Sequence, residues 1–304
     1  MNKLFSVITG LVLISSASFG QKAQLQSAMN YVKWGDLDKA KEAIDQCTTN
    51  ESTMGMAKTW YWSGFIYQSL AESKEEKFAS LKPGALEKAL QSYKKTLELD
   101  VKSNEYEADI KTKLGSIAYG YMEQGVNLFQ EKKYDEALAN FAVGIQIKKE
   151  FFNIIDTNGI NNCALAANRA GKYSQAASYY NQIIELNAGD AKTYIALSNS
   201  YLNQNDTSSA LKALGQGISK YPQDKELTNR QFNLYLISGR ANEAFAEVEK
   251  SILLDPKNAK LQLNKGILAE QLNKPTEAEA AYKKAIELDA NLFEDRKSTR
   301  LNSS

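Results

Sequence analysis

The sequence predicts an all-α chain of about seven helical hairpins, and three observations point to it. Its 304 residues are 43% hydrophobic and 24% charged, with four prolines and 17 glycines, which suits a sizeable core and favours helix over a turn-rich β fold. Ala176, Ala210, Ala244 and Ala278 recur at a step of 34 residues. Each closes the same six-residue frame, Gly171-Lys-Tyr-Ser-Gln-Ala176, Asn205-Asp-Thr-Ser-Ser-Ala210, Gly239-Arg-Ala-Asn-Glu-Ala244 and Asn273-Lys-Pro-Thr-Glu-Ala278, so a left-handed or turn-forming residue stands before each second helix.

Taken in order, the chain opens on Lys3, an apolar run from Leu4 to Ile14 and the small residues of Ser15-Ser-Ala-Ser-Phe-Gly20. That pattern is expected to be a secretory signal over 1–20, cleaved after about Gly20, with the mature protein periplasmic or secreted. The run is far shorter than the roughly 20 residues of a membrane-spanning helix. Hairpins are then expected at about 21–54, 57–100, 118–151, 157–190, 191–224, 225–258 and 259–292. The first three carry the same frame less regularly, in Gly35-Asp-Leu-Asp-Lys-Ala40, Ala85-Leu-Glu-Lys-Ala89 and Lys132-Lys-Tyr-Asp-Glu-Ala137. Extra residues between Tyr67 and Ala89 predict a loop projecting from the array, and Val101 to Ile117 reads as an early extension of the third hairpin's first helix. Pro222 and Pro256 close their hairpins, since proline cannot continue the helical ladder. Residues 295–304 match one reading frame of a common short-read sequencing adapter and are expected to be a non-native tail.

Trp60, Gly64 and Tyr67, Tyr194, Leu197 and Tyr201, and the alanine–aromatic pairs Ala89/Tyr93, Ala137/Phe141, Ala176/Tyr180 and Ala278/Tyr282 resemble the pattern of the tetratricopeptide repeat. The resemblance covers residues 21–294. It implies a right-handed superhelical solenoid and a scaffold that binds other proteins or peptides. Small residues at the eighth position (Ala28, Gly64, Gly125, Ala164, Ser198, Gly266) let paired helices approach closely. Phe232 departs there, so the sixth hairpin is expected to splay or repack.

Composition narrows the chemistry. The chain has no histidine, which removes Ser-His-Asp and Cys-His mechanisms and the commonest transition-metal ligand. No phosphate loop or Ca²⁺-loop pattern is present. No enzyme, cofactor or metal site is expected. Setting aside Lys3, Asp295, Arg296, Lys297 and Arg300 leaves 33 basic and 35 acidic residues, a net −2 that gives no field for nucleic acid or anionic lipid. Cys47 and Cys163 stand in the first and fourth hairpins, too far apart along the array for a disulfide, and are expected to be buried.

In the resembling family the first helix of each hairpin lines a concave groove. Its lining positions here include Asn161, Asn162, Lys192, Asn199, Asn229, Arg230, Asn233 and Asn264. An amide donates and accepts, so a row of asparagines can pair with an extended peptide backbone whatever its side chains. Arg230, flanked by Lys192 and Lys260, would draw a peptide carboxylate. The expected function is thus a non-catalytic protein- or peptide-binding scaffold of the bacterial cell envelope, with self-association of its ends as a further possibility. The competing expectation is a recruiting arm of a longer enzyme or envelope-anchoring protein.

Overall fold

The computed structural model describes residues 23–290. The expected leader and the adapter-like tail lie outside them. The described residues are helical throughout: α1 (23–34), α2 (Leu37–Thr49), α3 (Ala57–Glu72), α4 (Ala85–Leu99), α5 (Glu107–Gln130), α6 (Tyr134–Phe152), α7 (Thr157–Arg169), α8 (Tyr173–Glu185), α9 (Ala191–Leu202), α10 (Thr207–Lys220), α11 (Lys225–Ile237), α12 (Ala241–Leu254), α13 (Ala259–Gln271) and α14 (Pro275–Leu288). A 3₁₀ helix, Glu76–Leu81, lies between α3 and α4. No described helix is long and apolar enough to cross a membrane.

The turns explain the pairing. At six of the seven hairpins one residue takes a left-handed φ: Gly35, Lys132, Gly171, Asn205, Gly239 and Asn273. Around each, two backbone bonds close the first helix, as where Gly35 N–H donates to Val32 and Asp36 N–H to Tyr31. This is the glycine-type helix stop, and it sends the chain straight into the second helix. Lys132, at φ 63°, makes the same turn with a Cβ present, at a steric cost glycine avoids.

The chain divides between Ala166 and Ala167, inside α7, into two units. In the first, one core joins Ile44, Ile66, Leu70, Tyr93, Ile110, Leu114 and Ile117. Close helix approach depends on glycine: a Cβ on Gly64 would lie 2.5 Å from the Tyr93 ring, and one on Gly125 2.6 Å from the Phe141 ring. The residues between α3 and α4 do not project as the sequence suggested. Phe78, 1% exposed, anchors the 3₁₀ helix into the core against α2 and α3, because burying a phenylalanine outweighs leaving the loop in solvent. The extension of α5 is present from Glu107. Asp100, nearly buried, organises the connection before it by accepting the Tyr106 N–H at 2.8 Å and the Ser103 hydroxyl. Tyr106 then stacks on Tyr61, whose hydroxyl donates to Asp109 at 2.7 Å. Cys47 and Cys163 are buried thiols.

The second unit has two cores. Tyr194, Leu197, Leu211, Leu214 and Leu227 lie around α9 and α10, while Phe245, Val248, Leu268 and Ala269 lie around α12 and α13. Between them, α11 touches α12 far less extensively than α9 touches α10 or α13 touches α14. The cause is a reversal of size. In the seventh hairpin Gly266 receives the Tyr282 ring, whereas the sixth has half-buried Phe232 facing small Val248. The sixth hairpin is splayed, and a cavity of about 160 Å³ opens beside it.

Candidate functional site

The first helices of the second unit, α9, α11 and α13, begin alike. Asp190, Asp224 and Asn258 each accept a backbone N–H three residues on, from Thr193, Leu227 and Leu261. Such caps fix where each helix starts and therefore which residues share a face. Asp190 and Thr193 form a reciprocal capping box, and the bonds from the Thr193 hydroxyl and amide hold Asp190 below the usual carboxylate range despite its burial. Contacts place the helices side by side: α11 packs on α9, and Lys260 Nζ of α13 donates to Asn229 Oδ1 of α11 at 2.5 Å.

On this face Asn229, Arg230 and Asn233 are exposed, Asn199 is half-buried and Lys192 points to solvent. Two expected members differ from the sequence reading. Asn264 is 7% exposed: it turns into the gap left by Val248, beside Leu261, and is not part of the open face. Arg230 is already engaged, its Nε and a terminal nitrogen 2.9 and 2.8 Å from Glu226 Oε1 one turn earlier, so its charge is largely answered within the helix. The available cations are instead at the helix starts. Burial, reinforced by the neighbouring Lys225, lowers the Lys260 pKa, and its ammonium donates to a neutral amide, that of Asn229. Lysines in a first helical turn oppose the helix dipole, and an arriving anion would relieve them. Lys225 was not among the groove positions read from the sequence. The signal for it was its place directly after the cap Asp224.

Asn161 and Asn162 belong to the first unit, both half-buried. Asn162 lines a small apolar notch with Val126, Phe129, Phe141 and Leu165, of which Val126 and Leu165 are about two-fifths exposed. Among the described residues no group of carboxylates and thiols is arranged to hold a metal ion.

Family models described as tetratricopeptide repeat match residues 21–53, 167–229 and 259–292. Among solved structures, the chain is similar to YrrB, described as a TPR protein with an unusual peptide-binding site, at 14% identity over 60% of this chain and 92% of that one, with a TM-score of 0.38. It is similar to MamA at 18% identity over 59% and 94%, TM-score 0.39, and to MamA from Desulfovibrio magneticus RS-1 at 16% over 58% and 96%, TM-score 0.38. A comparison with curated proteins found no match. The matched segments fall on hairpins turned by the left-handed residues Gly35, Gly171, Asn205 and Asn273, and the chain carries tetratricopeptide repeats.

Proposed function

We propose that this chain is a non-catalytic scaffold that captures an extended segment of another protein along α9, α11 and α13. The observation that supports this most is the run of amides and cations on three adjacent, capped helices: Asn199, Asn229 and Asn233, with Lys192, Lys225 and Lys260 at the helix starts. Amides meet the segment's backbone N–H and C=O groups, which are otherwise costly to desolvate, so capture tolerates varied side chains. The lysines favour a carboxylate at the end of the face where the helices begin. The leader-like first twenty residues support action outside the cytoplasm, in a bacterial envelope.

Selection of peptides from a random display library against the full chain tests the reading. Selected peptides should bind the wild type and lose affinity about tenfold or more when Asn199, Asn229 and Asn233 are all alanine, each lost hydrogen bond contributing about 0.5–1.5 kcal/mol. Unchanged binding by a variant with unchanged helicity would refute it.

A further inference from the structure

The cavity beside the splayed sixth hairpin has a chemistry distinct from the groove face. It lies among α10, α11, α12 and α13, and its apolar lining is Ile218, Phe232, Val248 and Leu261, with the Tyr235 ring beside them. At about 160 Å³ it matches the ~150 Å³ that admits a benzene-sized group. Its charged lining residue is Glu247, which is exposed and forms no ion pair among the described residues. The other acids of α12 are engaged, Glu243 by Arg240 and Glu249 by Lys265. Glu247 and Tyr235 line the same cavity, and burial, with Glu247 and Glu243 adding to it, raises the Tyr235 pKa.

A chamber that offers rings and aliphatic side chains beside the hydroxyls and amides of Ser219, Thr228, Gln231, Ser251 and Asn264, with one carboxylate, suits a group with a long aliphatic stem and a cationic, hydrogen-bonding head. We propose that this cavity seats an arginine side chain of a partner protein, its stem against Phe232 and Val248 and its guanidinium beside Tyr235 and Glu247. Charge complementarity fixes the sign, because no lysine or arginine lines the cavity. Arginine suits it better than lysine: its planar head is weakly hydrated, stacks on aromatic rings and meets a carboxylate with two parallel N–H bonds. Of the groove residues read from the sequence, Asn264 alone lines this cavity, so the site stands independently of peptide capture along α9, α11 and α13.

The test titrates the full chain with the peptide acetyl-Gly-Arg-Gly-amide and with its citrulline counterpart, followed by saturation-transfer NMR on the side-chain methylenes. Transfer to the arginine methylenes is expected for the wild type. It should weaken about tenfold with citrulline or with Glu247→Gln, which remove one charge from the pair. Phe232→Ala with Val248→Tyr, which restores the size order of the seventh hairpin and replaces the Phe232 wall by a ring on the opposite helix, should abolish transfer while the far-ultraviolet circular dichroism is kept. No transfer to the wild type, equal transfer to citrulline, or full binding by Glu247→Gln would each overturn the assignment.

Discussion

Phe232 and Val248 line one cavity, and their sizes run opposite to Gly266 and Tyr282, the pair at the same two positions of the next hairpin. The reversal predicts strong coupling. Val248→Tyr alone sets a second ring against Phe232 and should cost about 1–3 kcal/mol. Phe232→Ala alone enlarges the void and should cost about 2–3 kcal/mol. The double variant should be more stable than either single one, with a coupling of at least about 1 kcal/mol in a urea-denaturation cycle. Simple additivity would show that the two side chains do not set the splay.

Gly64 tests close approach in the first unit. Gly64→Ala would press a methyl onto the Tyr93 ring, which is buried and held by its hydroxyl bond to Gln68 at 2.9 Å, so the ring cannot swing away cheaply. A loss of about 1–3 kcal/mol is expected. Gly55→Ala, where the added Cβ meets nothing within 4 Å, should be within about 0.5 kcal/mol of wild type. Thermal denaturation of the two variants side by side measures the difference.

Acid stability should depend on Asp156. Burial pushes its pKa up, but the Lys148 ammonium at 2.5 Å and the Gly159 N–H at 2.9 Å outweigh burial and hold it below the ordinary value. A carboxyl whose pKa is lower folded than unfolded adds stability at neutral pH, and that stability is lost as pH falls from about 4 through the folded value. Asp156→Asn should therefore cost about 1.5–3 kcal/mol at pH 7, and the gap to wild type should close in more acid solution. A gap independent of pH would assign the effect to packing.

Phe78 should hold the α3–α4 connection in place. Phe78→Ala removes a fully buried ring and should cost about 3 kcal/mol, with faster amide exchange across residues 73–84. Unchanged exchange there would show that the connection is held by its polar contacts.

The hairpin order was legible because two signals repeat in register: a left-handed turn residue and, in six of seven hairpins, a small eighth-position residue. Phe232, the exception, marked the hairpin that would splay or repack, and it is the splayed one. What it could not disclose was the chamber, since that requires Glu247, Tyr235 and Leu261 to converge from three helices. The α3–α4 connection was misread because its length and charge suggested solvent, while one phenylalanine among charged neighbours decided its place. Groove positions were assigned by repeat number alone. Repeat number says nothing of the ion pair by which Glu226 claims Arg230 one turn away, nor of the neighbouring gap that draws Asn264 inward.

Photo-crosslinking tests the central claim most directly. Benzoylphenylalanine placed at position 233, on the proposed binding face, or at Glu249 on α12 is irradiated with a display-selected peptide bound to the full chain. Capture along α9, α11 and α13 predicts a crosslink from position 233 and none from position 249. Equal yields from both, or a crosslink from position 249 alone, would contradict it.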